Sequence, residues 1–66
     1  MTWRFDRDGQ SLRCDISRDA SGSYRIAVMY PDGRESVETI DAPTALVERT
    51  VEVMARLKAD GWAVSG

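Results

Sequence analysis

Cys14 is the only cysteine in the chain, and histidine is absent. A thiolate–imidazole pair, an internal disulfide and a Cys/His zinc centre are therefore excluded within one chain. Acting alone, Cys14 would need a neighbouring base or a depressed pKa to serve as a nucleophile. It stands between Leu12 and Ile16 in an alternating run, which makes it a small buried hydrophobe instead. The carboxylate pairs fare no better. Asp6 and Asp8 fall in a turn, where Asp bonds its own backbone. Glu48, Glu52 and Arg56 follow i, i+4 spacing along the exposed side of a helix, with Glu52 placed to pair with Arg56. No Gly-rich phosphate loop, nucleophile elbow or metal-ligand spacing occurs. The residues predict no enzyme, no cofactor and no metal.

Binding chemistry rests on arginines. Arg4, Arg13 and Arg25 fall on three successive strands, on the sheet face that also carries Asp15, Ser17, Ala27, Met29 and Ser36. Depending on register they make a cationic row able to track a phosphate backbone. Alternatively they are a solvated face, with Arg13 and Arg25 paired to Asp15 or Glu38 across strands. Single-strand binders also stack bases on aromatics, and Trp3, Phe5, Tyr24 and Tyr30 all read onto the opposite, core side. A net charge of −2 and a pI near 4.9 argue the same way. Residues 1–34 carry six Arg against five Asp, and residues 35–66 carry six acids against three bases. Nucleic acid is therefore the disfavoured partner and protein the favoured one.

Those residues need a scaffold, and the chain supplies it in order. Thr2 to Asp6, Ser11 to Arg18 and Tyr24 to Tyr30 alternate apolar and polar as strands do, and Arg34 to Ile40 is a weaker fourth. Asp8-Gly9, Asp19 to Ser23 and Pro31-Asp32-Gly33 are the intervening turns. Asp41 to Trp62 reads as an amphipathic helix with Asp41 as N-cap, Pro43 in the first turn and Gly61 as the left-handed stop. Leu46, Thr50, Val53, Met54 and Leu57 form its stripe. The prediction is an α+β fold: a four-stranded antiparallel meander, β-β-β-β-α, with one C-terminal helix packed on one sheet face. One domain spans residues 1–66. Its expected core is Trp3, Phe5, Leu12, Cys14, Ile16, Tyr24, Ile26, Val28, Val37, Leu46, Val53, Met54 and Leu57, closed by Trp62. Val64-Ser65-Gly66 is expected to fray.

A chain this short buries only about 60% of its unfolded surface and has neither disulfide nor metal to staple it. Beside the helix stripe, Val47 and Val51 lie four residues apart and share one flank. The reading is a non-enzymatic protein-interaction module whose candidate binding residues are Arg4, Arg13, Arg25, Met29, Val47 and Val51. The valine flank either packs against the far edge of a twisted sheet or meets its twin across a two-fold axis in a homodimer. No membrane span and no secretory leader are read, and the lack of disulfides fits a cytoplasmic setting. In element order alone the chain resembles the β-β-β-β-α domain of PC4-like and Whirly transcription factors. That resemblance implies single-stranded nucleic-acid binding on the sheet and pairing through the helix. In size, acidity and lack of catalytic groups the chain is also similar in kind to phage-encoded inhibitors such as anti-CRISPR proteins, which implies an inhibitory protein–protein role.

Overall fold

The computed structural model describes residues 1–66. β1 (Thr2–Arg7) and β2 (Gln10–Arg18) are joined by Asp8-Gly9. Both residues have positive φ, +50° and +77°, as a two-residue type I′ hairpin requires. β3 (Tyr24–Met29) follows. In the turn before it, the Asp19 carboxylate accepts hydrogen bonds from the Ser21 hydroxyl and from the Ser21 and Ser23 amides. Those bonds, the hydroxyl first, hold its carboxyl below the usual carboxylate range. β4 (Glu35–Ile40), α1 (Pro43–Ala59) and β5 (Ala63–Val64) complete the chain. The strands form one antiparallel sheet in the order β4-β3-β2-β1-β5. The α+β meander with a C-terminal helix is therefore as predicted, with one strand more.

That fifth strand corrects the expected frayed tail. Ala63 and Val64 pair with Asp6 and Phe5. Beyond them the Ser65 amide donates to the Arg4 carbonyl at 2.8 Å, and the Arg4 amide donates to the Gly66 carbonyl at 2.8 Å. The helix stop makes this return possible. Gly61 has φ +92°, its amide donates to the Lys58 carbonyl, and the Trp62 amide donates to the Leu57 carbonyl. This double bond pattern reverses the chain and presses Trp62 onto Leu57; both are buried.

The helix start also differs. Ala42, not Asp41, is the N-cap, with φ −113° and ψ 136° and no side-chain cap. Proline pushes the residue before it into extended backbone, so Pro43 makes Ala42 the last non-helical residue. The Asp41 carboxylate instead accepts the Ser23 hydroxyl at 2.7 Å, tying the β2–β3 turn to the helix entry.

α1 lies against β3 and β4. Phe5, Leu12, Cys14, Ile26, Val28, Leu57 and Trp62 are buried, with Trp3, Ile16, Tyr30, Ile40, Leu46, Val53 and Met54 packed around them. Val37 is not among them. Pairing of Ile26 with Glu38 and of Val28 with Ser36 turns Ser36, Glu38 and Ile40 toward the helix and leaves Val37 42% exposed on the open face. The predicted faces of this strand are thus exchanged. The cause is Arg49 of α1, which donates two hydrogen bonds to the Glu38 carboxylate, one of 2.7 Å, and so seats a charged residue on the helix side. Tyr24 also sits at the margin, half-buried, with the Arg18 guanidinium 5.6 Å from its ring centre. No helix is long and apolar enough to cross a membrane.

Candidate functional site: an apolar notch beside the helix

The open sheet face holds the three arginines, though not as one row. Arg4 stands directly opposite Arg13, and Arg13 opposite Met29, whose sulfur lies 3.6 Å from the Arg13 guanidinium. Arg25 pairs with Ser17, four residues along β3 from Met29, which is about 13 Å at the strand rise. The register therefore makes an Arg4–Arg13–Met29 row and leaves Arg25 apart. None of the three takes part in an ion pair, so the expected pairing of Arg13 and Arg25 with Asp15 or Glu38 does not form. Asp15 instead accepts the Thr2 hydroxyl at 2.8 Å. Every aromatic with a defined strand register, Trp3, Phe5 and Tyr24, faces the helix side through pairing with Cys14, Leu12 and Ile40.

The helix is seated over one half of the sheet, and this opens a notch over the other. Trp3 and Val64 form its floor, on the Phe5 side of β1 and β5. Val51, Met54 and Ala55 form its helix wall, and Thr50 and Lys58 complete a groove of about 500 Å³. Thr50 donates its hydroxyl to the Leu46 carbonyl at 2.7 Å, so its polar group is already satisfied inside the helix. Lys58 is the only charged group in the lining. Val47 lies one turn before Val51 on the same flank. The valines are exposed to an unusual degree: Val47 64%, Val51 63% and Val64 51%. Val47 and Val51 are the flank read from the sequence. Val64 was missed because a two-residue strand carries no periodicity to read.

On the far side of α1 the chemistry is ionic. Arg49 joins Glu38 to Glu52, with the second bond at 2.9 Å, so Glu52 does not pair with Arg56 as its spacing suggested. The hydrogen bonds from Arg49 hold the Glu38 carboxyl below the ordinary glutamate value, and the two carboxylates raise the Arg49 pKa further. At one end of the sheet Arg7 stacks on Trp62, 4.3 Å from the ring centre, and donates to the Asp60 carbonyl at 2.8 Å. That arginine closes the C-terminus of α1. Cys14 is 1% exposed; burial, then the neighbouring Asp15 charge, pushes its thiol up, away from nucleophilic use. No cluster of three or more His, Cys, Asp or Glu is placed to hold a metal ion.

Comparison with protein-family models, with curated proteins and with solved structures finds no match for the chain.

Proposed function

We propose that the chain is a small, non-enzymatic protein-interaction module that docks through the notch, and that its first partner is a second copy of itself. The observation that carries the reading is the grouping of Val51 and Val64 with Trp3 and Met54, with Val47, equally exposed, one helical turn before Val51. Single exposed valines are ordinary, whereas a contiguous apolar patch on a small protein marks an interaction surface.

Three features support self-pairing. The 17-residue helix offers a flank about 25 Å long. A half-interface of about 800 Å² would take less than a fifth of the 4461 Å² surface. Antiparallel helices related by a two-fold axis at Val51 would set Lys58 opposite Thr44, within one turn of the partner's Glu48, and would oppose the two helix dipoles. That arrangement would place opposite charges near one another across the pair.

Sedimentation equilibrium at high micromolar concentration tests this. Wild type should have twice the 7.4 kDa chain mass. Val51→Glu should have the single-chain mass with an unchanged far-UV circular dichroism spectrum. A wild-type mass of one chain would overturn self-pairing. A second reading, single-stranded nucleic-acid binding on the open face, is supported by Arg4 standing beside Arg13, and weakened by the lack of a stacking aromatic there. It would gain if an oligonucleotide column retained the protein with steep salt dependence and released the variant with Gln at both positions.

A further inference from the structure

The two sheet edges differ. β5 is two residues long, whereas β4 is a regular six-residue strand with no neighbour on its outer side. The Tyr30 amide donates to the Arg34 carbonyl at 2.9 Å, which makes that pair a hydrogen-bonded one. In an antiparallel ladder such pairs alternate, so Val28–Ser36, Ile26–Glu38 and Tyr24–Ile40 are bonded in turn. Glu35, Val37 and Thr39 therefore aim their amides and carbonyls outward, away from β3. The sequence of β4 has no proline and no lysine, and its register runs unbroken from Glu35 to Ile40, so of the usual edge protections only acidic charge is present. Glu38, its central charge, is turned inward onto Arg49.

Charge decides what fits there. Residues 35–56 hold five acids (Glu35, Glu38, Asp41, Glu48, Glu52) against Arg49 and Arg56, a net of −3. Arg49 is shared between two of those acids. Edge-to-edge pairing of two copies would bring two such surfaces together, which is unfavourable. A cationic strand would meet the opposite field. Between β4 and α1 a groove of about 420 Å³, lined by Ser36, Glu38, Glu52 and Val53 and also by Arg49 and Arg56, has room for its helix-side side chains, the apolar ones facing Ile26, Val28 and Leu57.

We infer that β4 is an acceptor edge for a basic, extended segment of a partner protein, which joins the sheet as a sixth strand by main-chain hydrogen bonds to Glu35, Val37 and Thr39. The edge lies across the sheet from the notch, so it does not depend on self-pairing, and a notch-paired dimer would present two such edges.

The probe is a fluorescein-labelled peptide of alternating Lys and Val, followed by fluorescence anisotropy. Wild type should bind it with an affinity that falls as salt rises, and should not bind the same peptide with Glu for Lys. Methylating alternate peptide amides should weaken binding about ten-fold or more, because strand-to-strand bonds are lost. Val37→Pro should do the same without unfolding, since its amide points outward and an edge strand tolerates proline there. Val51→Glu should bind as wild type does. Absence of binding would overturn the inference. So would equal affinity for methylated and unmethylated peptides, a result that stands even if Val37→Pro fails to fold.

Discussion

Replacing Gly61 with alanine should weaken the protein by about 1–2 kcal/mol, and the structure divides that loss into two parts. Gly61 has φ +92°, and left-handed backbone costs an L-residue about 1–2 kcal/mol. Loss of unfolded-state freedom returns roughly 0.4–1 kcal/mol, leaving a backbone cost near 1. The new Cβ would also sit 3.3 Å from the Arg7 Cδ, so that side chain must give by a few tenths of an ångström, which disturbs its stacking on the Trp62 ring. Cation–π stacking at partly exposed sites contributes about 0.5–1 kcal/mol. At about 4–8 °C per kcal/mol for a domain of this size, the thermal midpoint should fall visibly. The assay is thermal denaturation by circular dichroism of wild type, Gly61→Ala, Arg7→Ala and the double variant. In the Arg7→Ala background the glycine substitution should cost less, because the crowding part is absent. An unchanged midpoint for Gly61→Ala would refute the double hydrogen bond at Gly61 as the device that closes α1 and returns β5 to the sheet.

Three further outcomes are expected. Ala42→Ser supplies the missing acceptor at the start of α1 and should stabilise by about 1 kcal/mol, whereas Asp41→Ala should stay within roughly 0.5 kcal/mol; the reverse order in urea melts would place the cap at Asp41. Glu38 has a folded pKa below its ordinary value of 4.5 because Arg49 hydrogen-bonds its charged form, so its stabilising contribution is present above that value and lost as pH falls through the lower one. The stability gap between wild type and Glu38→Gln should accordingly close in acid, and a gap that persists there would show that the residue acts by packing. Cys14 should react slowly with a thiol reagent in the native protein and fully once unfolded, and immediate native labelling would contradict its burial.

The sequence made the meander legible because its turns are chemically explicit. Asp8-Gly9 specifies a two-residue hairpin, and the alternation in β2 and β3 fixes which side chains meet. The Gly61-Trp62 stop was legible for the same reason, since a left-handed residue followed by a large apolar one has few other uses. β4 was not, because Val37 and Ile40 fall on opposite faces and neither pattern dominates. Its orientation is set by the bidentate Arg49–Glu38 pair, a contact eleven positions apart that no periodicity encodes. Pro43 was correctly placed in the first turn, yet its effect on Ala42 outweighed the capping preference of Asp41. In the candidate site, Val47 and Val51 followed from helix geometry. Trp3 and Met54 were expected in the core; they pack against it and also line the notch. Arg4 and Arg13 were on the right face, and only the register could show that Arg25 stands apart from them.

That the notch is a docking surface can be tested residue by residue. An amide and methyl NMR dilution series, from millimolar to low micromolar protein, reports which groups sense association. Concentration-dependent shifts should concentrate at Val47, Val51, Val64 and the Trp3 indole, and disappear in Val51→Glu. Spectra that do not change with concentration, or shifts confined to the open sheet face around Arg4 and Arg13, would contradict the proposal.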